Sequence, residues 1–333
     1  MSKKFDTILG FSVGDPNGIG IEVILKSLTS DDLNHDFKSV LFSNYNLVKK
    51  QVSIFDLKCN FKQIKNLDEA DYDCINIINI DDNDFDINFG QSNKAGGEHS
   101  YKSLLGAVNF LKKKEIHGLI TAPINKNNIQ SDFFKFKGHT DFLESHFDGD
   151  SLMFMVSENL KVALLTEHIP INEVANSISS SLIEKRIHIV NQSLKKDFGI
   201  KNPKIAMLSI NPHVGDGGVI GNQDDLVLIP TTNSVRAKDI DVLGPYASDS
   251  FFGSSLYKSF DAVVAAYHDQ GLIPFKTMTF GNGVNFTAGL EIVRTSPDHG
   301  TAYDIAGKNI ANPQSFKSAI IQALTIIKNR KKN

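Results

Sequence analysis

Cysteine is scarce: only Cys59 and Cys74 occur among 333 residues, and they do not form a CxxC pair. That argues against a thiolate metal site and for a reducing compartment, so the expected location is the cytoplasm. An excess of positive charge is also missing. The chain has 35 Lys and Arg against 38 Asp and Glu, a formal net charge of −3, with the cations scattered. Nucleic-acid binding, which needs a basic face to displace counterions, is therefore not expected. No apolar run approaches the ~20 residues that span a bilayer, so no membrane partner is expected either. The opening MSKKFDTILGFSVGDPNG lacks a small-residue cleavage site and runs into a glycine-rich turn; it reads as a first strand, not a signal peptide. No internal repeat is visible. The acidic stretch 67–88 lacks the sixth-position Gly and closing Glu of an EF-hand loop, so it reads as a solvated strand and loop.

What is present points to a globular α/β chain. Hydrophobic residues make up 41% and charged residues 22%, and the length suits two lobes better than one core. Short apolar runs at 6–14, 39–44, 117–123, 161–168, 204–213 and 260–269 read as strands. Segments 21–28, 100–114, 181–198 and 315–329 carry apolar residues three and four apart, the spacing of a helix. Continuous apolar strands alternating with helices predict a mostly parallel sheet covered on both faces.

Three of those strands end in histidine, in TEH (His168), NPH (His213) and VVAAYHDQGLIPFK (His268). Ligands of open α/β sheets bind beyond the carboxyl ends of strands, so the three can converge on a divalent ion with an open position. Three separately hydrogen-bonded histidines are the competing reading. Asp249 reads as a carboxylate partner of the group or as a helix N-cap. Of the other histidines, His35, His117 and His188 read as surface or core residues, and His146 is ambiguous. His139 and Thr140 in KGHTDFLE suggest a capped helix start whose N–H groups favour an anion. Lys276, Asn285 and Arg294 are spaced nine residues apart, two cations flanking an amide, as in an anion clamp. GDPNGIG (14–20) is not GxGxxG; it is weak as a phosphate loop and fair as a tight strand–helix turn.

The segments GDPNGIGIE, TAPINK, GHTDFLE, LLTEHIPI, INPHVGDGG, GPYASDSFF, YHDQGLIPFK and VNFTAGLEIVRTSPDHGTAYDIAGK stand in the order found in the 4-hydroxythreonine-4-phosphate dehydrogenases of vitamin B6 biosynthesis. The chain resembles that family from about Gly14 to Lys308. HGTAYDIAGKNIANP (299–313) is similar to the adenosine-binding segment of the isocitrate and isopropylmalate dehydrogenase superfamily. The resemblance implies that superfamily's two-lobed α/β/α fold, with mostly parallel sheets and no Rossmann domain. The expected first lobe is 1–135 plus 300–333, and the expected second, 136–299, carries most metal and substrate residues. The resemblance places metal ligands at His168, His213 and His268, and substrate contacts at His139, Thr140, Lys276, Asn285 and Arg294. Cofactor contacts fall on His299, Gly300, Asp304 and Asn312. It implies NAD or NADP, with NAD favoured because an acid at the ribose repels a 2′-phosphate. It also implies one divalent metal per subunit (zinc, magnesium or cobalt) and a homodimer with its site at the interface.

The implied reaction oxidises C3 of 4-phosphooxy-L-threonine to a β-keto acid that loses carbon dioxide, leaving 3-amino-2-oxopropyl phosphate. Asp249 and Asp269 are the first candidates for proton acceptor. Alternatives are a sister dehydrogenase for threonate or erythronate 4-phosphate, a zinc hydrolase, and a non-catalytic phosphometabolite-binding protein. The chain departs from the family at Ile21, where Pro is usual, at Asn125, where His is frequent, and at Glu167 in TEHIP.

Overall fold

The computed structural model describes residues 6–33 and 36–332; His35 lies outside the described residues. The chain opens with β1 (Ile8–Ser12), α1 (Gly20–Leu28), β2 (Lys38–Ser43), α2 (Tyr45–Ile54), β3 (Phe61–Ile64) and β4 (Ile75–Asn79). Then come α3 (Lys94–Lys112), β5 (Gly118–Thr121) and α4 (His139–Glu144). The middle of the chain forms β6 (Gly149–Val156), β7 (Lys161–Leu164), α5 (Val174–Ser177), α6 (Ser180–Lys196), β8 (Ile205–Leu208) and α7 (Ile229–Arg236). It continues with β9 (Val242–Tyr246), α8 (Ser248–Gly253), β10 (Ala262–Ala265), α9 (His268–Thr279) and β11 (Val284–Leu290). The last elements are β12 (Arg294–Pro297) and α10 (Gln314–Arg330).

Contacts divide the chain into two compact units, 1–148 with 290–327, and 149–289 with 328–333. These boundaries depart from those expected from the sequence. Segments 136–148 and 290–299 group with the first unit, so His139, Thr140 and Arg294 belong to it. The reason is packing. Phe142 of α4 is buried against Phe134 and Phe136, with ring centroids 5.3 Å away in each case. Arg294 and Thr295 of β12 pair with Leu119 and Ile120 of β5.

The first unit carries the strand order β3-β4-β2-β1-β5-β12, and these neighbours run parallel. Its core is apolar on both sides of the sheet, as a covered parallel sheet requires. Leu9 and Phe11 of β1 and Val40 and Phe42 of β2 are fully buried. Helix α3 is a long example of sequence-driven structure. Asn93 caps it by accepting from Gly96 N, and Leu104, Ala107, Val108 and Leu111 form its buried stripe. Gly14 ends the approach to α1 at φ +65°, where a Cβ would stand 2.1 Å from Pro123 O, so no larger residue fits this turn.

The second unit carries the order β11-β6-β7-β10-β8-β9. Strands β7, β10, β8 and β9 are parallel, and β6 is antiparallel to β7. β10 lies between β7 and β8, with Val263 opposite both Val162 and Ala206. Phe251 of α8 and Phe275 of α9 fill the core on one side of this set. Among the described residues, no helix is long and apolar enough to cross a membrane.

Candidate active site

The second unit brings the three strand-end histidines to the same edge of adjacent parallel strands. The strands stop earlier than their apolar runs suggest: β7 at Leu164, β10 at Ala265 and β8 at Leu208. The chains of β7 and β10 remain side by side beyond that point. Leu165 N donates to Ala265 O at 2.8 Å, and Thr166 Oγ1 to Ala266 O at 2.8 Å. His168 and His268 each follow two residues later, and their ring centroids are 5.5 Å apart, the planes inclined by 44°. His268 is the first residue of α9 and not the last of a strand. Its Nδ1 meets Asp269 Oδ1 at 2.7 Å. The carboxylate only accepts, so Nδ1 is the donor of this bond and Nε2 is the nitrogen left to meet a metal.

His213 follows β8 in a turn where both it (φ 52°) and Val214 (φ 59°) adopt left-handed backbone. For β-branched Val214 this conformation is strained, and such strain persists only where the surroundings enforce it. Asp224 anchors the residues that lead into this turn. This buried carboxylate accepts from Ile210 N at 2.7 Å and from Asn211 N and Nδ2, both at 2.9 Å. It opens a single π-helical turn, 224–228, before α7. Gln270 joins the strand ends: its Oε1 accepts from Ala266 N at 2.6 Å, and its Nε2 donates to Ser209 O and Ser248 Oγ, both at 2.7 Å. Neither residue was singled out from the sequence, because an Asp before a helix and a Gln inside one have no distinctive spacing.

His168 and His213 are exposed and His268 is half-buried. Among the described residues, no group of three or more His, Cys, Asp or Glu side chains stands close enough to hold a metal ion. The structure thus unites His168 with His268 and sets His213 at the end of the neighbouring strand. Two facing imidazoles, one with its tautomer set by a carboxylate, fit an imidazole-accepting divalent ion that takes further ligands. Asp249 is exposed in the first turn of α8 and is not its N-cap, which is Ala247. Lys276 lies exposed in the last turn of α9, about 12 Å along the helix from His268. Asn285, in β11, has a buried Oδ1 without a hydrogen-bond partner.

The first unit holds a separate buried cation. Arg294 is only 3% exposed, and its Nε and Nη2 donate to Thr121 Oγ1 at 3.1 and 2.6 Å. Burial pushes its pKa down to about 9, so it is charged at neutral pH. His139 shares this environment: its Nε2 is shut off from water and unpartnered, although the residue as a whole is half-buried. Burial first, then Arg294 and Lys126, holds its pKa well below the usual histidine range, so the ring is neutral. Gly138 is the N-cap of α4, with no side-chain cap bond, and Thr140 is the second helical residue and not its cap. Six residues make a weak dipole, so any anion here is drawn by Arg294 and Lys126 more than by the helix. Thr121 and Lys126 were passed over as site residues although both belong to TAPINK.

Among the cofactor candidates, His299 Nδ1 meets Gly300 O at 3.0 Å while its Nε2 is buried and unpartnered. Asp304 is exposed. Asn312, also exposed, accepts from Gln314 N at 2.9 Å just before α10. The departures are absorbed locally. Ile21 is fully buried in α1. Glu167 Oε1 accepts from Met153 N at 3.2 Å, with Arg186 Nη2 3.7 Å away. Asn125 Oδ1 accepts from Asn127 N and Asn128 N, capping its turn as an amide that has no proton to exchange.

Comparison with known proteins decides the family. The model for "Pyridoxal phosphate biosynthetic protein PdxA" matches residues 35–323. The chain belongs to the PdxA family. A 4-hydroxythreonine-4-phosphate dehydrogenase from Bacteroides thetaiotaomicron is 40% identical over 97% of this chain and 90% of its own length. A protein of Oceanobacillus iheyensis, provisionally named D-threonate 4-phosphate dehydrogenase, is 34% identical over 98% of this chain and 99% of its own. The crystal structure of 4-hydroxythreonine-4-phosphate dehydrogenase from Klebsiella pneumoniae superposes with a TM-score of 0.86 at 29% identity, covering 98% and 99% of the two chains. A solved isocitrate dehydrogenase from Methylococcus capsulatus, 13% identical with a TM-score of 0.50 over 98% of this chain and 87% of its own, shares the fold alone.

Proposed function

We propose that this PdxA-family protein oxidises 4-phosphooxy-L-threonine at C3 with a nicotinamide cofactor, NAD in preference to NADP, in pyridoxal phosphate biosynthesis. The observation that carries the reading is the delivery of His168, His213 and His268 from three adjacent strand ends, in a chain of this family. These three histidines would hold one divalent ion (zinc, magnesium or cobalt), with ligands drawn from both subunits of a homodimer. When bound, that ion lowers the pKa of the substrate hydroxyl and steadies negative charge on the developing product. A nicotinamide cofactor, held through the 299–312 segment, would supply the redox chemistry by taking up the hydride from C3. The resulting β-keto acid loses carbon dioxide to leave 3-amino-2-oxopropyl phosphate.

The chain's own residues bind and orient. Arg294 brings a buried charge whose attraction for phosphate or carboxylate is little screened by water. His139, kept neutral, donates or accepts one hydrogen bond without adding charge. Thr140, Lys276 and Asn285 would be further substrate contacts; His139 Nε2 in the first unit and Asn285 Oδ1 in the second are each buried without a hydrogen-bond partner, as a ligand-binding atom would be. Asp269 orients His268, which makes Asp249 the freer candidate for proton acceptor. Asp304 and Asn312, with His299 and Gly300, would meet the adenosine. The working location is the cytoplasm.

The deciding assay follows absorbance at the reduced-nicotinamide band with 4-phosphooxy-L-threonine, NAD and a series of divalent ions. Metal-dependent reduction of NAD is expected. The Oceanobacillus relative supports a second reading, in which threonate 4-phosphate is the substrate. Faster turnover of threonate or erythronate 4-phosphate would establish that reading and displace the first.

A further inference from the structure

We propose that Asp15 is the positioning residue of the cofactor segment, holding residues 299–312 in shape through Tyr303. The proposal rests on the reading of that segment as the adenosine site. Asp15, in the turn GDPNGIG, is fully buried. Its Oδ2 accepts from the Tyr303 hydroxyl at 2.7 Å and from Asn128 Nδ2 at 2.6 Å, and its Oδ1 accepts from Asn17 N at 2.9 Å. The start of α3 closes over it: a Cβ on Gly96 would stand 2.8 Å from Asp15 Oδ1. One carboxylate thus gathers the turn after β1, the TAPINK loop after β5 and the segment after β12.

All three donors are neutral. Burying a carboxylate on neutral donors is costly compared with packing apolar side chains in the same space. The arrangement yields definite geometry: a charged acceptor makes stronger and more directional bonds than a neutral one. Tyr303 keeps its proton, with its pKa pushed up to about 12 by burial and by Asp15, so it is a donor and not an acid–base group.

The rest of the segment is fixed at its flanks by α1 and the turn before it. Ile19 N donates to Thr301 O at 3.0 Å, Glu22 Oε1 accepts from Ala311 N at 2.9 Å, and Lys26 Nζ donates to Asn309 O at 2.9 Å. Between these anchors, Ala302 is held in left-handed backbone at φ 44°. That strain needs support, and the Tyr303–Asp15 bond is the next contact along the chain. Exposed Asp304 follows immediately, so its direction depends on where Tyr303 is tied.

The test is NAD binding to the full-length protein by calorimetry without substrate, together with steady-state kinetics and thermal melting. Tyr303→Phe removes one hydroxyl and leaves the ring. It should raise the NAD dissociation constant about tenfold, as expected for losing one bond to a charged group. The KM for the phosphorylated substrate should stay within about twofold. Asp15→Asn should act in the same direction. Asp304→Ala and Asn312→Ala, measured alongside, examine the segment itself. If those two weaken NAD while Tyr303→Phe and Asp15→Asn do not, the positioning role is overturned and the adenosine site stands. If none of the four changes NAD affinity, both ideas fall. A lower melting temperature with unchanged NAD affinity also overturns the proposal, because a purely structural bond gives that result.

Discussion

The polar residues of the two units are held in opposite ways. In the first unit, Asp15, Glu22 and Arg294 are buried. Their partners are protein groups already in place, such as Thr121, Tyr303 and Asn128. In the second unit, the candidate metal histidines stand exposed or half-buried at strand ends, and what is buried is the scaffold beneath them, notably Asp224. The difference teaches where preorganisation resides. The first unit has met the cost of desolvating its charges during folding, so a ligand finds a fixed cation. The second unit fixes the backbone that carries its imidazoles and leaves the rings open to a ligand.

The largest effect that tests this contrast is on the open side. His213→Ala should lower turnover by at least about a hundredfold and deplete bound metal, while melting temperature hardly changes, because the exposed ring is little packed. Full turnover of the variant in chelator would remove His213 from the site. On the buried side, Phe142→Ala should cost about 3–5 kcal/mol in denaturant unfolding, since this ring is 1% exposed and stacks on Phe134. A cost below about 1 kcal/mol would mean α4 is not anchored as described.

Arg294→Ala sharpens the comparison further. Substrate KM should rise about tenfold to a hundredfold with NAD affinity nearly constant, reflecting lost charge-assisted bonds. Equal weakening of both ligands would take Arg294 out of the substrate clamp. The smallest effect is the pH dependence of anion affinity. Arg294 has a folded pKa of about 9, below its ordinary value. The bound anion requires the protonated guanidinium, so affinity should be flat through neutrality and weaken as pH rises through about 9. The same lowered pKa means the buried charge costs stability below about pH 9, a cost relieved as pH rises further. Affinity that stays constant to pH 10.5 would show that the bound guanidinium keeps its proton.

Much of this was legible in the residue pattern, unevenly. The apolar runs at β1, β2, β5, β7, β8 and β10 and the helical periodicity of α1, α3, α6 and α10 all correspond to elements of the structure. β12 did not stand out, because RTSP is four residues of mixed polarity; its pairing, as with β5, makes it a strand. Strand β9 was hidden by its Gly-Pro. The roles of Asp15, Asp224 and Gln270 were invisible for another reason. Each acts through bonds that no local periodicity reveals, such as Asp224 to Asn211 across 13 positions and Asp15 to Tyr303 across 288.

By itself, then, the order of residues determined the α/β class, the positions of many strands and helices to within a few residues, and that His168, His213 and His268 follow three of those strands. These follow from local periodicity and chain-breaking residues, which act over a few positions. Tertiary structure alone decided that β10 lies between β7 and β8, that Arg294 is buried beside a neutral His139, and that Asp15 ties the GDPNGIG turn to the HGTAYD segment. Strand order, desolvation and long-range hydrogen bonds depend on which surfaces meet, and that is settled only when the whole chain has packed.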